Sequence, residues 1–199
     1  AIRASAFWCS AAARCHCQTP APETSSRPRP ASTVRRRSGF AAGRGDEGQP
    51  LFMGNESNVQ DGVVVHGLET EHDGHPVEEN LVVVDGKKYA VYIGEKVSLA
   101  HQAQIHGPAF VGNETFAGMK SLVFRARVGN NCVIEPGCLV MEVNVPDGRY
   151  VPAGTILKNQ NDADNLPGIT SEYAFKDLNR KVVHVNVSLA DGYRQSGIK

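Results

Sequence analysis

Acidic side chains are almost missing from the first 45 residues of this 199-residue chain, where Glu23 stands alone against eight arginines. The remainder carries 13 basic and 20 acidic residues, so overall neutrality conceals a net charge of about −7 on the larger part. A surface of that sign argues against nucleic acid as a partner. No apolar run approaches the ~20 residues that a membrane-spanning helix needs, so no membrane association is expected. Tryptophan occurs once, at Trp8, and cysteine five times, at Cys9, Cys15, Cys17, Cys132 and Cys138. That count and distribution argue against a disulfide framework, and Cys15-His16-Cys17 lacks the second ligand pair that a metal knuckle requires.

Residues 1–43 also lack any regular hydrophobic period and are rich in Ala, Arg, Ser and Pro. The composition resembles an organellar transit peptide, or an out-of-frame reading of GC-rich DNA, and disorder is expected there. Location is therefore left open: cytoplasmic by default, organellar or exported if the segment is a genuine leader.

What the rest of the chain has is a beat of six. Met53, Val59 and Val65 are six apart, as are Ile93, Leu99, Ile105, Val111, Ala117 and Val123; after a one-residue slip come Val128, Ile134 and Val140. Six fits neither the 3.6 of a helix nor the 2 of a lone strand. It is the period of a parallel β-helix, in which each hexapeptide forms one face of a triangular prism and three make a coil. The fold expected is mainly β, a left-handed parallel β-helix over residues 44–159 with a C-terminal helical segment, 160–199, packed on it. Cys132 and Cys138, six apart, take the same phase on adjacent faces, where a small thiol packs well.

The beat breaks once. After Val65 the next inward residue should be 71, but the pattern resumes at Ile93, so about 22 residues are looped out within 67–92. Residues 67–80 form an acidic loop with Glu69, Glu71, Asp73, Glu78 and Glu79; segments 81–84 and 87–92 read as a hairpin turning at Asp85-Gly86. With the insertion removed, Val65 and Ile105 lie one coil apart on the same face, and each is followed by a histidine. His66 and His106 then share a phase on stacked strands roughly 4.8 Å apart, close enough to share one metal ion. His101 has a different phase; it cannot complete that site in its own chain but can complete a neighbour's. One exposed strand histidine is ordinary, whereas two in matched phase with a third beside them favour a metal.

Past Asn159 the period changes. Residues 160–166 read as a short helix stopped by Pro167-Gly168. Thr170-Ser171-Glu172 offer N-cap candidates, and Phe175, Leu178, Val182, Val185 and Leu189 follow at helical spacing. Such a helix would lie against the prism wall and bring His184 and Asn186 near whatever that wall carries.

Two stretches, Asn58-Val59-Gln60-Asp61-Gly62-Val63-Val64-Val65-His66 and Ser98-Leu99-Ala100-His101-Gln102-Ala103-Gln104-Ile105-His106-Gly107-Pro108, resemble gamma-class carbonic anhydrases. The resemblance covers about residues 44–195, and the acidic loop and long terminal helix align it with the loop-bearing archaeal form of the class. It implies a homotrimer with three active sites at subunit interfaces, where metal-bound hydroxide interconverts CO2 and bicarbonate. His66 and His106 of one subunit and His101 of the next would bind the metal: Zn2+, with Fe2+ or Co2+ as alternatives, since imidazole suits all of them. Glu47 and Gln60 would sit beside the bound water, Glu69 would relay protons, and Asn186 and Asp61 would complete the pocket. Arg44 and Asp46 would bridge subunits. Members of the class carry further coils before the arginine, and none is recognisable here. Two other readings stand beside this one: a hexapeptide acyltransferase, which needs no phase-matched trio, and a non-catalytic assembly scaffold.

Overall fold

In a computed structural model, residues 41–44 and 48–197 are described, Arg44 by its backbone alone. The expectations placed on residues 1–40, including disorder and the Cys15-His16-Cys17 cluster, lie outside them, as do Asp46 and Glu47.

The chain winds into a parallel β-helix whose coils follow the beat of six. The first coil is Ala42–Arg44 (β1), Leu51–Met53 (β2) and Asn58–Val59 (β3). The second opens with Val64–His66 (β4) and then leaves the prism. In the insertion, Glu71–His72 (β5) and His75–Pro76 (β6) form one antiparallel ribbon, and Val82–Val84 (β7) and Lys87–Tyr89 (β8) a second. Val91–Ile93 (β9) and Ser98–Leu99 (β10) close the second coil. Gln104–His106 (β11), Ala109–Val111 (β12) and Phe116–Ala117 (β13) make the third. Leu122–Phe124 (β14), Arg127–Val128 (β15) and Val133–Ile134 (β16) make the fourth. Leu139–Met141 (β17), Asn144–Val145 (β18) and Tyr150–Val151 (β19) make the fifth, and Ile156–Leu157 (β20) opens a sixth.

Three sheets result. The first face stacks β1, β4, β11, β14, β17 and β20; the second β2, β9, β12, β15 and β18; the third β3, β10, β13, β16 and β19. The aliphatic residues of the beat point inward: Val65, Ile93, Leu99, Ile105, Val123, Val128 and Val140 are at most 1% exposed. Val59 alone of the series is only partly buried, because among the described residues β3 ends its sheet and has no strand beyond it. Strand β1 begins two residues ahead of the boundary expected at 44, with Gly43 in register with Val65.

One corner shows why the repeat cannot drift. Gly54, Gly94, Gly112 and Gly129 stack there, and a Cβ on any of them would lie 2.3–2.6 Å from an atom of the next coil. Only hydrogen fits. The two ribbons of the insertion turn at Asp85-Gly86, as expected, and at Asp73-Gly74; all four residues have φ between 49° and 77°, the pairing that two-residue hairpins of this twist demand.

The C-terminal segment departs from expectation at its start. Asn159 caps a short helix, Gln160–Asp164 (α1), by accepting from the Asn161 amide. The long helix, Leu178–Gln195 (α2), begins well after Thr170-Ser171-Glu172. Thr170 Oγ1 instead accepts from the Glu172 amide within a turn, so these residues satisfy a local bend rather than a helix end. Leu178 and Val182 pack with Tyr150, Ile169 and Tyr173 on Ala100, Phe116 and Val133, the outward side of the third face. Phe175, Val185 and Leu189, expected on the packed stripe, are 46%, 53% and 36% exposed. No helix among the described residues is long and apolar enough to cross a membrane.

Candidate metal centre

Register builds the centre. Strands β4 and β11 are neighbours on the first face, with Ile105 opposite Val65 and His106 opposite His66. Because the aliphatic residue of each pair points inward, the histidine after it must point out. The outward column on this face runs His66, His106, Phe124 and Met141 at matched positions, with the backbone of Arg44 in register with His66.

His66 Nδ1 and His106 Nε2 stand 3.3 Å apart, with ring centroids at 5.1 Å and planes inclined by 70°. That separation is long for a hydrogen bond. Two nitrogens bound at 2.0–2.1 Å to a tetrahedral ion must stand about 3.3 Å apart, so the pair fits a metal. The other nitrogen of the His106 ring, Nδ1, faces the Gly107 carbonyl at 3.3 Å, which favours a proton there and leaves Nε2 its lone pair. Phe124 closes one side of the His106 ring at 5.4 Å.

The glycines after the two histidines are part of the same construction. A Cβ on Gly67 would lie 2.8 Å from the Ala90 methyl, and one on Gly107 2.3 Å from the Ala90 carbonyl oxygen. Ala90 is where the insertion rejoins the prism, and it is 1% exposed. Both histidine-bearing turns thus rest on the stem of the loop.

His101 lies at the opposite edge of the first face, in the turn after β10. Its Nδ1 is 3.8 Å from Asp61 Oδ2, one coil earlier, and more than half of its side chain is exposed. Gln60 belongs to this edge too: its amide donates to Leu99 O, and its side chain approaches Asn58 Oδ1 at 3.5 Å. Asn58 in turn donates to Ser98 Oγ at 2.8 Å, buried between coils. Asp61 Oδ1 is buried and has no hydrogen-bond partner among the described residues. No three His, Cys, Asp or Glu side chains of one chain gather around a common point among the described residues.

The expected site residues therefore fall into two groups on one chain. His66 and His106, with Glu69 three residues beyond His66, occupy one edge; His101, Asp61 and Gln60 occupy the other. Glu69 is exposed on the insertion, with Oε1 at 3.3 Å from His72 Nδ1. Asn186, half-buried on α2, donates to the Val182 carbonyl of its own helix, and no hydrogen bond joins it to His66 or His106 among the described residues. Glu47 and Asp46 fall outside the described residues; Arg44 is placed by register alone, opposite His66. Sequence reasoning passed over Asn58, although Asn58 and Ser98 share a phase on stacked strands as the histidines do. It also passed over Gly67, Gly107 and His72.

Comparison with known proteins agrees with this fold. No family model matches the chain. It is 56% identical over 158 residues to a carbonic anhydrase of Methanosarcina thermophila, covering 79% of this chain and 64% of that protein. It is 43% identical over 150 residues to the carboxysome assembly protein CcmM of Nostoc, covering 75% of this chain and 25% of that protein. The chain thus spans less than two thirds of the length of either relative. The crystal structure of a hexapeptide transferase family protein from Anaplasma phagocytophilum superposes with a TM-score of 0.56 at 24% identity, over 77% of this chain and 74% of that one. That likeness concerns the fold alone. The chain is a hexapeptide-repeat β-helix with a paired-histidine edge, similar over most of its length to a carbonic anhydrase.

Proposed function

We propose that three copies of this chain assemble around a threefold axis and catalyse the reversible hydration of CO2 to bicarbonate and a proton. In each of three interfaces, His66 and His106 of one subunit and His101 of the next would hold a divalent cation. The observation that carries this reading is the division of the histidines: two nitrogens at 3.3 Å on one edge of the first face, the third imidazole on the other edge. A C3 assembly joins unlike edges of identical subunits, which is what a split ligand set requires. Zn2+, Fe2+ and Co2+ all suit three imidazoles.

When bound, such an ion would acidify water enough for attack on CO2 near neutral pH. The chain supplies the rest. Register holds the two imidazoles at ligand spacing, Phe124 shields one flank, and the Gly107 carbonyl orients the His106 ring. Gln60, with Asn58 behind it, and Asp61 would enter each site beside His101, Gln60 offering hydrogen bonds to substrate oxygens and Asp61 steering the imidazole. Glu47 and Asn186 would complete the pocket, Arg44 and Asp46 would bridge subunits, and Glu69 would carry the product proton outward. The exposed Val185 and Leu189 leave apolar surface on α2 that a neighbouring subunit can cover.

The test is mixing. His66→Ala and His101→Ala variants, each inactive, are refolded together and assayed for CO2 hydration and metal content. Random association restores about a quarter of the sites if ligands come from two subunits, and none if they come from one. The similarity to CcmM favours one rival, an assembly module without catalysis; parent trimers that bind no metal under anaerobic purification would decide for it.

A further inference from the structure

The insertion carries a histidine that the metal centre does not use and that a carboxylate engages on each side. His72 Nδ1 is 3.3 Å from Glu69 Oε1, and its Nε2 is 3.5 Å from Asp73 Oδ2. The three side chains are exposed, at 70%, 60% and 88% for His72, Glu69 and Asp73. His75 faces His72 across the ribbon, and Glu71 precedes it on the same strand. The Asp73-Gly74 turn sets that register.

The base of this loop is fastened while its side chains reach solvent. Asn80 donates to the Glu69 carbonyl at 2.7 Å, the Val77 amide donates to the Thr70 carbonyl, and the Gln49 amide donates to Thr70 Oγ1 at 2.7 Å. Glu69 is thus anchored close to His66 in sequence, and His72 stands one step further out.

We propose that His72 is the outer station of a proton path whose inner station is Glu69. The inference rests on the CO2-hydration reading above. Near neutral pH a carboxylic acid is a fleeting proton carrier, whereas imidazole populates both of its states and has two nitrogens to receive and release through. In the step, the Glu69 Oε1–H bond breaks and a bond to His72 Nδ1 forms. The Nε2–H bond then breaks, and its proton passes to a buffer base, with Asp73 Oδ2 beside the departing proton. Glu69 returns to carboxylate and the ring returns to neutral as the opposite tautomer, which exchange with water resets.

The experiment follows CO2 hydration by the metal-loaded trimer as buffer concentration is varied, for the parent, His72→Gln, Glu69→Gln, the double variant and His75→Gln. In weak buffer, His72→Gln should lower kcat about tenfold, less than the ~10²–10⁴-fold that full acid–base catalysis carries, because water and buffer compete for the proton. It should leave kcat/KM unchanged and regain kcat with added imidazole. The double variant should be no slower than Glu69→Gln, since the two stations act in series, and His75→Gln should match the parent. In the loaded protein, ring 15N shifts of His72 should show the neutral ring protonated at Nε2, beside Asp73, with its Nδ1 lone pair toward Glu69, and should lose that bias in Asp73→Asn. If His72→Gln keeps kcat within about twofold of the parent in weak buffer while Glu69→Gln does not, the outer station is refuted and the inner one stands. If neither variant depends on buffer, the Glu69 role falls as well. A loaded parent trimer that hydrates no CO2 removes the function itself.

Discussion

The two edges of the first face are built by different means. At the edge that holds His66 and His106, backbone register does the positioning: both residues follow a buried aliphatic, and both turns rest on Ala90. At the edge that holds His101, side chains do it: Asp61 approaches the ring at 3.8 Å, and Gln60 leans on a buried Asn58–Ser98 bond. If the proposed shared site holds, a pair that must meet one ion at fixed spacing is set by the stiffer device. The single ligand that would meet a partner's surface is left exposed and adjustable.

The sharpest way to break this comparison is to remove one imidazole at a time. His106→Ala and His101→Ala should both abolish metal binding and CO2 hydration in the trimer, with circular dichroism and melting near those of the metal-free parent. Full metal content in His101→Ala would show that the first edge suffices alone. Next in size, Ile105→Ala removes a side chain with no exposure from the core beneath His106. It should cost about 2–5 kcal/mol in denaturant unfolding, as cavity-forming core truncations do.

Gly107→Ala tests the register edge itself. Its new methyl would meet the Ala90 carbonyl oxygen at 2.3 Å, a backbone contact that cannot swing aside. A loss of about 1–3 kcal/mol is expected, the range for overpacking, together with weaker metal binding by calorimetry; unaltered affinity would show that the Ala90 seat is unnecessary. At the other edge, Asn58→Ala deletes one buried hydrogen bond and should cost about 1–3 kcal/mol. It should lower kcat/KM through Gln60 while the metal stays in place. Smallest of all, Cys132 and Cys138 should resist thiol reagents at pH 8 until the chain unfolds, as read by peptide mass spectrometry. Burial pushes the Cys132 thiol up to about 11 and raises that of Cys138 as well, so both present less of the reactive thiolate than an open cysteine would.

Much of this architecture was legible in the residues because a repeat states the same constraint many times. Each coil restates where the aliphatics point, so the phase of His66 and His106 followed from subtracting the insertion. The Asp85-Gly86 turn was equally plain, since few residues tolerate that backbone. What stayed hidden depends on contacts between segments distant in sequence. That Gln60 sits with His101 rather than with His66 follows from which edge of a face a corner occupies. The start of α2 at Leu178 was obscured because Thr170, Ser171 and Glu172 serve a turn as readily as a helix cap.

The seat of the two histidine turns on Ala90 has a mechanical consequence. Since both loops bear on the same small residue, any sway of the ribbons beyond it is passed to both rings together. Their mutual gap is thereby uncoupled from the motion of the tip. On the proposed reading, side chains that carry protons could swing through solvent while the grip on an ion stays unstrained.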